Sequence, residues 1–444
     1  MTLSDLKQSK VAIWGLGKEG LESYRRLRAQ FPKKRLLLIN QDRPDTLPED
    51  DLTSFIAEDD LMNNINQIEV IIKAPGISLY HPLVAQLKQQ GVSLTSATNL
   101  WFAENHTGTT IAITGTNGKS TTCALLAHIL TGLGHKTELG GNIGTPLLSL
   151  DQEADYYVVE LSSYQTADLD QTPDIAVLLN LFPEHIQWHN SHAQYFTDKC
   201  NLIRTGAGTI ILNRTDPLSK LFIPPPAQTP KGETVWFNEP TSLHCQGDFL
   251  WSGEDRLGPL TDITLPGDHN RENICAALTV CRALELDLSA CFRLAASFTG
   301  LRHRLENLDT FGGITYINDS ISTTPEATIA ALKSFEGRDI TLLAGGQDRG
   351  QDYLALAHYI KGHPRVKVVT SYQTGPGICQ AFAEVETDFS PIAARDLKDA
   401  VAKAKKITPE DGIILLSPAA PSYDAFQNFE QRGDLFRKYS GDEK

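Results

Sequence analysis

An alternation of short apolar runs with helical stretches constrains this chain more than any other feature. The runs are Val11–Trp14, Leu36–Asn40, Val70–Lys73, Thr109–Thr114, Tyr156–Glu160, Ile175–Asn180, Thr209–Asn213, Ile314–Asn318, Ile340–Ala344, Val366–Thr370 and Gly412–Ser417. They are rich in Val, Ile and Leu and do not alternate strictly with polar residues, the pattern of strands buried on both faces of a parallel sheet. Parallel strands need crossovers, and the intervening helical patterns supply them, so the chain reads as α/β with open parallel sheets. Ligands in such sheets bind at the carboxyl ends of the strands.

Two boundaries follow. One lies near Thr98, before a fresh strand–turn–helix unit, and one near Gly300, where helical sequence gives way to a new α/β run. The expected domains are 1–98, 99–300 and 301–444, each of ordinary size. The stretch Pro224–Pro266 is richer in Pro, Gly and Trp and predicts short strands at the edge of the middle domain.

Charge narrows the partners. Lys plus Arg total 40 against 54 Asp plus Glu, a net charge of −14. Such a chain repels nucleic acid and anionic membrane surfaces, although local basic sites for small phosphorylated ligands remain open. The start MTLSDLKQSK is polar, and the apolar runs fall far short of the roughly 20 residues that span a bilayer. A cytoplasmic protein without membrane insertion is expected. The seven cysteines are scattered with no CxxC pair, which reads as reduced thiols.

The segment Thr114-Gly115-Thr116-Asn117-Gly118-Lys119-Ser120-Thr121 follows a strand and opens a helical pattern that runs through Leu133. A Gly-rich loop turns backbone N–H groups toward phosphates, a Lys meets the terminal phosphate oxygens, and a hydroxyl serves Mg²⁺. The spacing is not the strict P-loop one, because Ile113 stands where the first Gly would be. A triphosphate site needs metal ligands nearby. Glu160 ends a strand and so sits at the sheet's carboxyl edge, and His185 lies one loop beyond the next strand. His185, His189 and His192 have spacing that would line one helix face and suit zinc, but no carboxylate or Cys completes that shell.

Gly15-Leu16-Gly17-Lys18-Glu19-Gly20 also follows a strand and opens a helix. That context fits a dinucleotide, another nucleotide diphosphate, or a tight turn alone. The acidic residue expected at the end of the next strand is blurred into Asn40-Gln41-Asp42.

With these residues in view, the chain resembles the Mur ligase family over essentially its whole length, and its glutamate-adding branch in particular. The segments that carry the likeness are 114–121, Gly140-Gly141-Asn142-Ile143-Gly144, Glu160-Leu161-Ser162-Ser163, Asn180 to His185, Gly267 to Asn273, Leu301 to Glu306, Asn318-Asp319-Ser320 and Ser417 to Asp434. The resemblance implies a Rossmann-like N-terminal domain, a P-loop-type central ATPase domain with a mostly parallel sheet, and a Rossmann-like C-terminal domain. It implies ATP and Mg²⁺, with Gly115, Thr116, Asn117, Gly118, Lys119, Ser120, Thr121, Asn270, Asn273, Arg304 and Asp319 on ATP. Ser120, Glu160, His185 and a carbamylated Lys199 would hold metal, the carbamate turning a cation into an anionic ligand. Lys119, His185 and Lys199 are the implied catalytic residues. Gly15, Gly17, Lys18, Arg43 and Asn142 would meet a UDP-linked substrate, and Thr323, Arg349, Ser422 and Phe429 the incoming glutamate.

The implied reaction joins glutamate to UDP-N-acetylmuramoyl-L-alanine through an acyl phosphate, with closure of the third domain over ATP, in a protein expected to be monomeric. The chain departs from the branch around the amino acid. Ile321 and Arg349 stand where the branch carries lysines, and Arg binds carboxylates bidentately where Lys offers a point charge. D-glutamate is the expected amino acid and L-glutamate the alternative. A folylpolyglutamate-synthase-like ligase fits the N-terminal domain poorly. An NAD-dependent oxidoreductase leaves the 114–121 loop, Glu160 and Lys199 unexplained, and a non-catalytic nucleotide-dependent binder is the third reading.

Overall fold

The structure, a computed structural model, describes residues 1–44, 50–104, 106–221, 232–265, 267–387 and 389–441. The chain parts into two compact units, Met1–Phe298 and Thr299–Lys444.

The first unit holds two all-parallel sheets. One is built from β1 (Val11–Trp14), β2 (Leu36–Asn40), β3 (Thr53–Ala57), β4 (Val70–Lys73) and β5 (Ser93–Thr95), in the order β3-β2-β1-β4-β5. The other uses β6 (Thr109–Thr114), β7 (Thr137–Gly141), β8 (Tyr156–Glu160), β9 (Ile175–Leu178), β10 (Thr209–Asn213) and β11 (Glu233–Phe237), in the order β11-β10-β9-β6-β8-β7. β1, β4, β8 and β9 are buried almost throughout, because helices cover both faces.

The boundary expected near Thr98 falls inside the helix Ala97–Phe102. Its Leu100 and Trp101 share one buried cluster with Val11, Ile13 and Leu36 of the first sheet and Ala112, Tyr157 and Val159 of the second. Of the stretch 224–266, residues 224–231 and 266 lie outside the described residues. Its remainder gives β11, which does edge the central sheet, and a separate antiparallel sheet of β12 (Leu243–Gln246), β13 (Phe249–Ser252) and β14 (Asp255–Pro259).

The second unit carries one sheet of β15 (Glu306–Phe311), β16 (Ile314–Asn318), β17 (Ile340–Ala344), β18 (Val366–Thr370), β19 (Ile392–Ala393) and β20 (Ile413–Leu416), in the order β15-β16-β20-β17-β18-β19. The β15–β16 hairpin is antiparallel and the remaining pairs are parallel. Two apolar clusters, one on each face, flank this sheet. The crossovers put the strands' carboxyl ends, and the loops after them, along one edge of each parallel sheet. Among the described residues no helix is long and apolar enough to cross a membrane.

Candidate active site

The loop after β6 is fixed before any ligand arrives. Gly118 caps the helix Lys119–Gly132 with φ +83°, and a Cβ there would run into the Asn273 side chain. Asn180 clamps the loop from the end of β9: its Oδ1 accepts from Asn117 N (2.8 Å), its Nδ2 donates to Asn117 O (3.1 Å), and its carbonyl accepts from Thr116 N (2.9 Å). The Thr116 hydroxyl sits 2.9 Å from the Tyr195 OH and donates to Phe182 O at 3.1 Å. Lys119 Nζ folds back over the loop onto Gly115 O (2.9 Å) and Thr116 O (2.7 Å). The open N–H groups of the helix's first turn and the positive end of its dipole favour an anion beside Lys119, Ser120 and Thr121. Asn270 and Asn273 are both buried, joined Nδ2 to Oδ1 at 2.9 Å, and place the helix from 268 against this loop.

Glu160 and Lys199 converge on the same place. Lys199 is 2% exposed, and its Nζ donates to Gly115 O at 3.0 Å, the carbonyl that Lys119 also uses. Burial, then the nearby Lys119 charge, holds the Lys199 amine well below the ordinary lysine range. Lys199 is therefore biased toward the neutral amine, the form with a free lone pair. Glu160 is 0% exposed; Asn142 Nδ2 donates to its Oε1 at 2.6 Å, while Oε2 is buried with no hydrogen-bond partner among the described residues. A buried carboxylate oxygen left open in this way suits a divalent cation.

His185 has a left-handed backbone (φ 52°), its ring half exposed and 5.2 Å from that of Tyr164. Burial lowers its pKa, and the Lys199 and Lys119 charges push the same way. The three histidines share no helix face. His185 precedes the short helix Ile186–His189, and His192 opens another behind the Ser191 cap. His189 is fully buried, its Nδ1 at 2.6 Å from Asp198 and its Nε2 at 3.0 Å from Ser163.

In the first sheet, Gly15 has φ +93° and a Cβ there would press on Ala74, while Gly20 packs on Gly15 O. Asn40 Oδ1 accepts from Leu16 N at 3.3 Å, so the residue at the end of β2 closes the glycine loop itself. Lys18, next to Gly17, reaches the second sheet and donates to Gly144 O at 2.9 Å, which brings the glycine loop beside the Gly140–Gly144 turn and Asn142. Arg43 lies over the Phe55 ring at 5.8 Å.

Sequence reasoning missed the polar seam between these two sheets. Lys73, 1% exposed, pairs with Asp168 at 3.3 Å. Gln165 Nε2 donates to Glu19 at 2.8 Å, and burial, with Asp168 adding to it, raises the Glu19 pKa to about 7. Tyr80 donates to Asp198 at 2.8 Å. The visible signal was a lysine ending an otherwise apolar run at 70–73.

The second unit gathers the remaining candidates. Asp319, at the end of β16, accepts from Ser417 Oγ (2.7 Å) and Leu305 N (3.2 Å). Burial raises its pKa to about 6, and the neighbouring Arg304 charge opposes this. Thr323 O accepts from Gln351 Nε2 at 2.7 Å, which ties it to the loop carrying Arg349. Ser422 is buried beside Tyr423, over whose ring Arg349 lies. Phe429 O accepts from Ser320 Oγ at 2.8 Å, and Ile321 is half-buried one residue further on. Arg432 is 1% exposed; its guanidinium donates to Ser320 Oγ, Ser320 O and Ala420 O, and burial lowers its pKa to about 10.

Comparison with known proteins gives a consistent answer. Residues 113–281 match the model of the Mur ligase middle domain, and residues 303–420 that of the Mur ligase glutamate ligase domain. The chain is 40% identical to the UDP-N-acetylmuramoyl-L-alanine--L-glutamate ligase of Xanthomonas oryzae, covering 99% of this chain and 97% of the relative. Proteins of the same name from Xylella fastidiosa and Micromonospora are 39% and 35% identical, with similar coverage. Among solved structures, the UDP-N-acetylmuramoylalanyl-D-glutamyl-2,6-diaminopimelate--D-alanyl-D-alanyl ligase of Acinetobacter baumannii superposes with TM-score 0.59 at 16% identity, over 99% of this chain and 92% of that one. The UDP-N-acetylmuramate-alanine ligase of Thermotoga maritima gives 0.57 at 16% identity, over 97% and 99%. These two share the fold.

Proposed function

The chain belongs to the Mur ligase family, and from that membership we propose an ATP-dependent ligase that adds glutamate to UDP-N-acetylmuramoyl-L-alanine in peptidoglycan synthesis. Its 40%-identical relative bears the name of that activity. The observation that carries the chemistry is the meeting of Lys119 and Lys199 on the Gly115 carbonyl beside the buried Glu160. A phosphoryl-transfer site needs positive charge, open N–H groups and a cation-ready carboxylate within one crevice.

In this reading the phosphates of ATP lie on the 115–121 loop. Lys119 meets the transferring phosphate and Asn273 supports the loop. The alanyl carboxylate takes the γ-phosphate to give an acyl phosphate and ADP. The glutamate amine then attacks that carbonyl, and the tetrahedral intermediate expels phosphate. Glu160 and Ser120 would hold Mg²⁺, with Lys199 as its carbamate and His185 beside them. Bound there, the cation would offset the charge that develops on the phosphate oxygens. The depressed pKa of Lys199 suits carbamate formation, because only the neutral amine adds to carbon dioxide. Gly15, Gly17, Lys18 and Asn142 would hold the uridine-linked substrate, with Arg43 at its far end. Arg304 and Asp319 would serve the nucleotide.

We assign three tasks to the three large sheets, in a monomer working in the cytoplasm. For the amino acid we propose L-glutamate. Relatives covering nearly the whole chain carry that enantiomer in their names, and Ile321 and Arg349 replace the lysines of the D-adding pattern. The test is ligation by the purified protein with ATP, Mg²⁺, UDP-N-acetylmuramoyl-L-alanine and labelled glutamate, followed as labelled product. Product that forms with the wild type and is lost with Lys119→Ala supports the reading; equal product from both overturns the role given to the loop.

A further inference from the structure

Tyr423 is 59% exposed, unusually open for a large ring. It lies between the buried Ser422 and the half-buried Asp424, in the loop after β20. Its ring carries Arg349, whose guanidinium carbon is 5.7 Å from the ring centroid.

The loop that bears Arg349 is held at several points. Gly345 N donates to Pro418 O and Gln347 N to Pro421 O, both at 2.8 Å. Gly346 N donates to Thr374 Oγ1 (3.0 Å), Asp348 N to Gln373 Oε1 (3.1 Å) and Gln351 Nε2 to Thr323 O (2.7 Å). Arg349 itself uses one edge, Nε, on Gln347 Oε1 at 3.3 Å. The nearby carboxylates are turned elsewhere: Asp348 accepts from Gly350 N at 2.8 Å, and Asp424 accepts from Gln373 N at 3.4 Å. Among the described residues Arg349 makes no ion pair within 4.0 Å. A guanidinium held over a ring, with its Nη edge open among the described residues, is set up for one bidentate carboxylate.

We propose that Tyr423 is a positioning residue that, through Arg349, gives this enzyme its preference for an amino acid with a second carboxylate. The inference rests on the glutamate-ligase reading above. A cation–π contact limits the orientations of a flexible cation, so the fork is already aimed when the ligand arrives. Glutamine, whose side-chain amide cannot accept both N–H bonds, is the discriminating analogue.

The test is steady-state ligation of glutamate and of glutamine by wild type, Tyr423→Leu, Tyr423→Phe, Arg349→Ala and the Tyr423→Leu/Arg349→Ala double variant. Loss of an exposed cation–π contact predicts a KM for glutamate raised about 2–5-fold in Tyr423→Leu. The kcat and the KM values for ATP and the uridine substrate should hold, and Tyr423→Phe should match wild type. Arg349→Ala, which loses charged hydrogen bonds, should raise the KM for glutamate about 10–100-fold and erase the preference over glutamine. In the double variant Tyr423→Leu should add nothing further. An unchanged KM for glutamate in Tyr423→Leu, a full additive effect in the Arg349→Ala background, or a parallel rise in every KM overturns the proposal. Wild type that joins neither glutamate nor glutamine would instead defeat the underlying ligase reading.

Discussion

Lys199→Met should make the protein more stable and inactive at once. Lys199 is 2% exposed, and its Nζ makes one hydrogen bond among the described residues, to Gly115 O at 3.0 Å. Met reproduces the lysine stem as far as Cε and lacks only the terminal nitrogen, so no sizeable cavity opens. Losing the hydrogen bond costs about 1 kcal/mol. Gly115 O keeps its bond from Lys119 at 2.9 Å, so the carbonyl is not orphaned. Against this, burial and the Lys119 charge hold the lysine well below its ordinary range, and that penalty on the charged amine weighs on the folded wild type at pH below the folded pKa. A tenfold loss of proton affinity is worth about 1.4 kcal/mol, so a larger loss outweighs the hydrogen bond and leaves the variant the more stable protein.

The sign follows from the protons bound. Between the depressed folded pKa and the ordinary lysine value, the unfolded wild type holds one more proton than the folded form. Wild-type stability therefore climbs with pH in that window. The variant's advantage should be largest below the folded pKa and shrink toward the ordinary lysine range. The assay is thermal unfolding of both proteins across pH in bicarbonate-depleted buffer, alongside ligation. A variant less stable than wild type at neutral pH, with a pH-independent difference, refutes the reasoning.

Three further outcomes follow from the geometry. Lys119→Ala should keep its fold, measured by unfolding, while ligation falls about 10²–10³-fold, as when one charge-stabilising donor is lost. Gly118→Ala forces φ +83° on a residue with a Cβ and displaces Asn273; it should cost about 1–2 kcal/mol of stability and raise the KM for ATP. Asp319→Asn should flatten the acid limb of stability. The folded pKa of about 6 lies above the ordinary aspartate value of 3.8, so the wild type's bonus is complete below pH 3.8 and lost as pH rises through 6. That loss is about 3 kcal/mol in all, and denaturant titrations at pH 4 and pH 7 would show it in the wild type and not in the variant.

The sequence made the buried centre of each sheet legible. β1, β2, β4, β6, β8, β10, β16, β17 and β18 fall on the apolar runs residue for residue. The strands that escaped are mostly edges or near-edges, where one side of the strand pairs with nothing and polar residues are tolerated: Thr53–Ala57, Thr137–Gly141, Glu306–Phe311 and the two-residue Ile392–Ala393. The glycine loop at 114–121 was readable because φ, helix start and lysine all carry a local signature. The seam of Lys73, Asp168, Glu19 and Gln165 was not, since its partners meet only across two sheets. The Tyr423–Arg349 contact is invisible too, because its partners stand 74 positions apart and meet only when β17 and β20 lie side by side.

The most direct measurement is ligation by the pure protein with ATP, Mg²⁺ and UDP-N-acetylmuramoyl-L-alanine, supplied in turn with L- and D-glutamate and followed by phosphate release and product mass. Product with L-glutamate and little with D-glutamate is the predicted result. Product with D-glutamate alone would contradict the assignment of the amino acid, and product with neither would contradict the ligase itself.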